Sequence, residues 1–351
     1  MHYSKSVKAI NQGLDQTNKI IVSIGCSFVF GSAAFSQELL DSSPPVYSNG
    51  ATWTLNNYSV IERKKILEKF PGLIMSNHDY SYIEFDKMFV ENSFTSILCR
   101  DFLKKEYTPI NFGSPGAGLK SSIMKLFLVP VEWKKADEII VVFCPTSANR
   151  LDILIDENSH DNYYRTAWPS YANHETISWN KLQEGFSQEL YSEKWEALNF
   201  LTNYQLLTSW VKNHNAKLIT FPAFNDYYNP DYFYKMSKTR IIRDQKKQIL
   251  DIREDSQPDR YHQFLFDSVD WNSFIAPQGK SNFFTLALSQ EDNYDPSLNH
   301  LSICGEHGGS ETKWIMNCGH PSSKAHRLLA QEIYHHLEKT DYCRKTWNIW
   351  Q

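Results

Sequence analysis

The sequence contains no apolar run approaching the roughly 18 residues that a helix needs to cross a bilayer. Its N-terminal stretch, MHYSKSVKAINQGLDQTNK, also lacks the apolar centre and small-residue cleavage site of a secretory signal. These two absences predict a soluble chain with no membrane partner that is not exported by that route.

The chain also lacks an excess of positive charge, with 36 Lys and Arg against 40 Asp and Glu and a formal net charge of −4. Such a balance offers no global attraction to a phosphate backbone, so we expect no nucleic-acid partner. The strongest local cluster of basic residues spans 235–253, KMSKTRIIRDQKKQILDIR. Its spaced isoleucines favour one solvated amphipathic helix over a nucleic-acid interface.

Cysteine is sparse and scattered, with six residues in 351, and this distribution fits reduced thiols in a cytoplasmic protein better than a disulfide framework. The sequence has no Gly-x4-Gly-Lys-Ser/Thr loop and no Gly-x-Gly-x-x-Gly after a strand, so nucleotide chemistry has little support. We therefore predict no cofactor. Neither the oligomeric state nor the biological source follows from composition.

Four short aliphatic runs indicate strands buried on both faces, as in a parallel sheet. They span Lys19–Ile24, Thr108–Phe112, Glu138–Cys144 and Ala216–Phe221. Between the strands, apolar residues recur at helical spacing after Ser93, after Gly118 and around Trp195. A last helix is predicted to begin with Pro321 as its first residue. Alternating strands and helices predict an α/β fold.

Three stretches break this alternation, at about 41–91, 151–193 and 226–312. They are rich in Tyr, Trp, Asn, Asp and Pro, and are too aromatic for plain disorder. We expect them to be folded insertions into one domain spanning 1–351. They would form pocket walls above the carboxyl edge of the sheet, where open α/β sheets bind ligands.

The stretch GCSF places Ser27 directly after the first predicted strand, where a helix begins. Its hydroxyl can then face solvent beside backbone N–H groups that lack helical partners. This is a suitable position for a nucleophile. On this segment alone, a helix cap is the commoner role for such a serine.

Glycines are concentrated after the second predicted strand, in INFGSPGAGLKSS. Glycine lets the backbone approach a ligand closely, so an N–H of this loop could join that of Ser27 in stabilising an oxyanion. The ordinary alternative is a tight turn before a helix.

His320 stands at the start of the last predicted helix, in NCGHPSSKAHRLL. Imidazole titrates near neutral pH, which suits a general base for a serine hydroxyl. A helix-entry turn is the alternative. His326, His335 and His336 lie deeper in the helix and are expected at the surface or in packing.

In order and placement, these three segments resemble the SGNH, or GDSL-type, hydrolase family. The resemblance implies a three-layer α/β/α fold with a flavodoxin-like parallel sheet, and a serine esterase or deacetylase. It assigns Ser27 as nucleophile, His320 as base, and the N–H groups of Ser27 and Gly116, or alternatively Gly118, as oxyanion donors. Many members of that family deacetylate carbohydrates.

Two positions depart from the family pattern. The acidic residue usual three positions before the histidine is Asn317 here, and an amide cannot stabilise imidazolium by charge. The third block, usually Gly-x-Asn-Asp, is replaced by FCPTSANR. Thr146, Ser147 or Asn149 could supply the missing donor, and Arg150 could contact an anionic substrate.

The sequence thus predicts a serine-dependent hydrolase that cleaves an acyl ester through an acyl-enzyme intermediate, with carbohydrate esters as a candidate substrate class. The alternative is a catalytically degenerate domain of the same fold that binds a glycan or a protein partner. A third hypothesis is a zinc site built from Cys304, His307, Cys318 and His320, whose second pair has unusually close spacing. We favour a site without metal.

Overall fold

The computed structural model describes residues 19–31, 47–48, 52–53, 90–113, 117–128, 136–154, 164–167, 185–186, 191–224, 228–243, 249–291, 314 and 320–340. Within these residues, four parallel strands form the central sheet in the order β4-β1-β5-β8. Their bounds are Lys19–Gly25 for β1, Thr108–Gly113 for β4, Glu138–Cys144 for β5 and Lys217–Thr220 for β8. All four strands were predicted from the aliphatic runs, and the α/β class is confirmed.

Helices connect and cover the strands. They are α1 Ser27–Phe30, α2 Phe94–Ile97, α3 Leu119–Met124, α4 Glu193–Asn213, α5 Pro230–Lys238, α6 Arg260–Asp267, α7 Phe283–Leu288 and α8 Ser323–Lys339. A π-helical turn, Leu98–Phe102, continues α2, and a 3-10 turn, Lys125–Leu128, continues α3. Two more 3-10 turns span Trp271–Ser273 and Pro277–Gly279.

Successive residues of β1 contribute to two different apolar clusters, because strand side chains alternate between the two faces of a sheet. Ile21 packs in a cluster that contains residues of α2, α7 and α8. Ile20 and Val22 pack in a second cluster that contains residues of α3, α4, α5 and α6. Burial on both faces explains why β1 is almost uniformly aliphatic.

The described parts of the stretches predicted as insertions contain three small antiparallel sheets. Their strands are β2 Tyr47–Ser48 with β3 Thr52–Trp53, β6 Leu151–Leu154 with β7 Tyr164–Ala167, and β9 Thr239–Arg243 with β10 Ile249–Glu254. The prediction of one helix over 235–253 is wrong, because α5 ends at Lys238 and the rest forms the β9–β10 hairpin. β-branched Thr239, Ile241 and Ile242 favour strand geometry over helix.

The last helix also differs in detail from its prediction. It begins at Ser323, and the Ser322 hydroxyl accepts a hydrogen bond from the Ala325 N–H as the N-cap. Pro321 therefore lies before the cap rather than at the first helical position. Serine is among the strongest N-cap residues, which explains why the helix starts after it.

None of the helices in the described part of the chain is long and apolar enough to span a membrane. Among the same residues, Cys26, Cys99 and Cys144 are free thiols, all buried. Burial raises the pKa values of Cys99 and Cys144 well above the usual range, so these thiols stay protonated.

Candidate active site

Ser27 is the first residue of α1 and follows a sharp turn at the end of β1. The turn depends on Gly25, which has a φ of +156°. A Cβ atom there would lie 2.4 Å from Cγ2 of Val29 and 2.6 Å from the backbone oxygen of Cys144. Glycine therefore allows α1 to fold back over the strand end, and Cys26 rather than Ser27 occupies the N-cap position.

The Ser27 hydroxyl pairs with the imidazole of His320. The Oγ atom of Ser27 lies 2.8 Å from Nε2 of His320, and both residues are partly buried. The His320 ring packs against the ring of Phe28, with centroids 5.3 Å apart. Phe28 is itself buried against Phe224 and Phe283, so it offers the imidazole a fixed apolar surface.

α8 is anchored close behind His320. The N–H of Ser322 donates to the backbone oxygen of Trp314, at 2.9 Å. In the first turn of α8, Nδ1 of buried His326 accepts a hydrogen bond of 3.2 Å from the N–H of Phe94, the first residue of α2. Of the two places expected for His326, the surface or the packed interior, the structure shows the interior. Its contact with α2 ties the start of the last helix to the core.

Asn111, a buried residue of β4, holds the other end of the Ser27 segment. Its side-chain amide donates to the backbone oxygen of Val29 at 2.8 Å and to Oγ of Ser93 at 3.0 Å. Its Oδ1 accepts a hydrogen bond from the N–H of Gly113. One side chain thus joins α1 to the strand that leads into the glycine loop.

The glycine loop is described from Ala117 onward, and the candidate donor Gly116 lies outside the described residues. Gly118 is the N-cap residue of α3. Its N–H donates to Oδ1 of Asp152 at 3.2 Å and to Oγ of Ser121 at 3.1 Å. The Gly118 N–H is therefore already engaged by protein acceptors.

Three candidate donors of the third block directly follow β5. Thr146 and Ser147 are buried and Asn149 is partly buried. The backbone oxygen of Thr146 accepts a hydrogen bond from the Tyr228 hydroxyl. The Thr146 hydroxyl itself is buried and has no hydrogen-bond partner in the part of the chain that the structure describes. A buried hydroxyl without a partner requires an explanation, such as an ordered water or a catalytic role.

Two basic side chains and a carboxylate lie at or near the end of this block. Arg150 donates to the backbone oxygen of Ala117 at 2.8 Å, and its guanidinium lies 5.8 Å from the ring centroid of Phe224. Lys125 donates to the backbone oxygen of Phe112 at 3.1 Å. Burial lowers the pKa of Lys125 to about 7, against the opposing effect of the nearby Asp152 carboxylate. Burial likewise lowers the pKa of Arg150.

An open cleft of about 480 Å³ borders this group of charges, between α3 and α4. Its lining is mixed polar and apolar and includes Lys120, Arg150, Asp152, Trp195, Asn199 and Asn203. The cleft places an aromatic ring beside charged and amide side chains.

Several predicted residues lie outside the described part of the chain. These are Asn317, expected to orient His320, and the three other members of the zinc hypothesis, Cys304, His307 and Cys318. Among the described residues, no group of three or more His, Cys, Asp or Glu side chains is placed to hold a metal ion.

The supporting residues were not predicted. Asp152 belongs to no motif, although it is a carboxylate in a strand directly after the third block. That placement is the one signal that could have suggested a role for it. Asn111 lies within INFGSPGAGLKSS, but its side chain was assigned no role. The contacts of both residues depend on tertiary structure, because they join segments far apart in the chain.

No protein-family model, no curated protein and no solved structure matches this chain. Any function must therefore be argued from the site itself.

Proposed function

We propose that the protein is a serine-dependent hydrolase that cleaves an acyl ester through an acyl-enzyme intermediate. The observation that carries this proposal is the 2.8 Å contact between Oγ of Ser27 and Nε2 of His320. A hydroxyl within hydrogen-bond reach of an imidazole is the arrangement that general-base activation requires.

In the acylation step, Nε2 of His320 accepts the hydroxyl proton while Oγ of Ser27 attacks the ester carbonyl carbon. The carbonyl oxygen becomes an oxyanion, which the N–H groups of Ser27 and Gly116 stabilise. Ser27 suits this role because N–H groups in the first turn of a helix lack intrahelical acceptors. The imidazolium then protonates the departing alkoxide as the C–O bond breaks.

Deacylation repeats these roles with water as the nucleophile. His320 accepts a proton from the water, which attacks the acyl-Ser27 carbonyl. Collapse of the second tetrahedral intermediate releases the carboxylic acid and returns the proton to Oγ of Ser27. Asn317 would hold the imidazole ring by a hydrogen bond, but would not stabilise its charge.

The order of the Ser27, glycine-loop and His320 segments supports membership of the SGNH hydrolase family. On this proposal, the central sheet belongs to a three-layer, flavodoxin-like domain with large insertions. A carbohydrate ester is the substrate class that the resemblance and the aromatic composition favour. Acetylated sugars are therefore the first substrates to test.

A fluorophosphonate probe tests the proposal, because it labels serines that are activated as nucleophiles. We expect labelling of the wild type at Ser27 and none in Ser27→Ala. Because His320 supplies the base, His320→Asn should lower the labelling rate by about 10²–10⁴-fold. The matched controls are Ser209→Ala, an exposed serine on α4, and His335→Asn, a partly buried histidine on α8. Both should be labelled at the wild-type rate.

Mass spectrometry of the labelled protein locates the modified residue. A folded wild-type sample with no label at Ser27 would contradict the proposal. That outcome would favour the alternative, a non-catalytic domain of the same fold that binds a glycan or a protein partner. The observations that favour this alternative are the two departures from the family pattern, at Asn317 and in the third block.

A further inference from the structure

Arg150, which directly precedes β6, and Asp152, the second residue of β6, hold opposite ends of one peptide group in the glycine loop. The Ala117 oxygen accepts a hydrogen bond of 2.8 Å from Arg150, and the Gly118 N–H donates to Asp152 at 3.2 Å. The Ala117 oxygen and the Gly118 N–H belong to the same planar unit. Its orientation is therefore set from both sides.

Asp152 also holds the first turn of α3. Its Oδ2 accepts a hydrogen bond of 2.8 Å from the N–H of Ser121, and its Oδ1 accepts one of 3.1 Å from the Ser121 hydroxyl. Carboxylate acceptors form stronger hydrogen bonds than neutral ones. Asp152 therefore links Gly118 and the first turn of α3 to β6.

The absence of a side chain at Gly118 allows this close approach. A Cβ atom on Gly118 would lie 2.4 to 2.6 Å from the carboxyl atoms of Asp152. No other residue at 118 fits without displacing the carboxylate. The observed position of the Asp152 carboxylate therefore requires glycine at residue 118.

The segment that carries Arg150 and Asp152 is itself anchored. Asn199 of α4 donates through its side-chain amide to the backbone oxygens of Ala148 and Arg150, at 2.8 and 3.4 Å. Asn203 donates to Oδ1 of Asn199 at 2.8 Å and fixes that amide. Helix α4 thus anchors the backbone of the segment that carries Arg150 and Asp152.

We propose that Arg150 and Asp152 are positioning residues that hold the Ala117–Gly118 peptide, at the start of α3, in the geometry that catalysis needs. This inference rests on the proposed function, since the peptide directly follows Gly116 in the chain. Oxyanion stabilisation depends on donors held in place before the reaction. Neither side chain is assigned a direct contact with substrate.

The test compares Asp152→Ala and Arg150→Gln with wild type and with Asp137→Asn, which alters an exposed aspartate before β5. Amide hydrogen exchange at Gly118 and Ser121 measures the contact itself. We expect about 10-fold faster exchange at both amides in Asp152→Ala, from the loss of a hydrogen bond at each. Asp137→Asn should leave both rates unchanged.

Hydrolysis of p-nitrophenyl acetate measures the consequence for catalysis. We expect kcat to fall about 10-fold or more in Asp152→Ala with KM within twofold of wild type, because misplacing a donor weakens transition-state binding alone. Asp152→Asn keeps one acceptor oxygen and should recover part of both losses. If Asp152→Ala does not fold, Asp152→Asn is compared with wild type in its place.

Unchanged exchange and unchanged kcat in Asp152→Ala would overturn the inference. Faster exchange with unchanged kcat would also overturn it, since the contact would then be structural only. If the wild type neither hydrolyses the ester nor takes the fluorophosphonate label, the proposed function fails and the catalytic role of this pair fails with it. Hydrogen exchange would still report whether the two side chains hold the peptide.

Discussion

Oγ of Ser27 and Nε2 of His320 lie 2.8 Å apart although 293 positions separate the two residues. The contact forms because Ser27 follows β1 in the centre of the sheet and His320 precedes α8, which packs against α2 on one face of that sheet. Two independent supports hold the pair together. Gly25 and Asn111 locate α1, and His326 locates the start of α8.

The first prediction concerns the turn before Ser27. Gly25→Ala should destabilise the protein by about 3 kcal/mol, because the new methyl group meets Val29 and the rigid backbone oxygen of Cys144. Relief of this clash requires α1 to shift, so labelling at Ser27 should also slow. Urea unfolding measures the first effect and fluorophosphonate kinetics the second.

The control for this substitution is Gly185→Ala, where the added Cβ has no atom of the described residues within 4 Å. We expect its stability to stay within about 0.5 kcal/mol of wild type. Wild-type stability in Gly25→Ala would show that the end of β1 accepts a side chain, contrary to the geometry.

The second prediction concerns the amide that joins α1 to β4. Asn111→Leu keeps the approximate volume but removes the donor to the Val29 oxygen and the acceptor for the Gly113 N–H. Buried groups left unpaired cost about 1–3 kcal/mol each, so the free energy of unfolding should fall by at least about 2 kcal/mol. Asn213→Leu, at the exposed end of α4, should change it by less than about 0.5 kcal/mol. Equal stability of the two variants would refute a structural role for Asn111.

The third prediction is acid destabilisation by two buried histidines. Burial is the main cause that lowers the pKa of His262 to about 4 and that of His326 to about 3, from a usual value of 6.5. Nε2 of His326 and both ring nitrogens of His262 have no hydrogen-bond partner among the described residues. The folded protein therefore keeps both imidazoles neutral, while the unfolded chain protonates them below about pH 6.5.

The free energy of unfolding should consequently decrease as the pH falls from about 6.5 to about 4. Each histidine adds a slope of up to about 1.4 kcal/mol per pH unit, and above pH 6.5 these two groups contribute no pH dependence. Urea unfolding at several pH values should give a slope smaller by about that amount in His326→Asn. Gln331→Asn, exposed on the same helix, should keep the wild-type slope. An unaltered slope in His326→Asn would mean that His326 is not buried in the neutral form.

The central sheet was predictable because strands buried on both faces must be aliphatic along their whole length. β5 has the predicted bounds Glu138–Cys144, and β1 extends the prediction by only Gly25. The segment 235–253 was predicted wrongly because its isoleucines satisfy helical spacing although β-branched residues also favour strands. Here tertiary pairing of β9 with β10 decides the structure.

The residues of the candidate site also differ in whether the sequence could identify them. Ser27 and His320 stand next to short, ordered motifs and could be identified from the sequence. Asn111 and Asp152 act through hydrogen bonds to backbone groups 31 to 82 positions away, and no local pattern records such contacts. Side chains that support a site, rather than form it, become visible only in three dimensions.

The fourth prediction selects one donor among Thr146, Ser147 and Asn149. Gly25 of β1 pairs with Cys144 of β5, so Ser27 and Thr146 each follow the paired ends of neighbouring strands by two residues. The Thr146 hydroxyl is also the one of the three candidate side chains that is buried without a partner in the described structure. This combination favours Thr146 as the residue that takes the place of the third-block asparagine.

Thr146→Val replaces the hydroxyl with a methyl group of similar size, so packing is largely kept while the donor is lost. We expect kcat for p-nitrophenyl acetate to fall about 10²-fold or more, the usual effect of removing one oxyanion donor. Thr146→Ser restores a hydroxyl and should recover most of the rate. Thr208→Val, which removes a hydroxyl bonded to a backbone oxygen within α4, should leave kcat unchanged. If Thr146→Val retains full activity while Ser147→Ala or Asn149→Ala loses it, the donor is that other residue, and the unpartnered hydroxyl of Thr146 has no catalytic role.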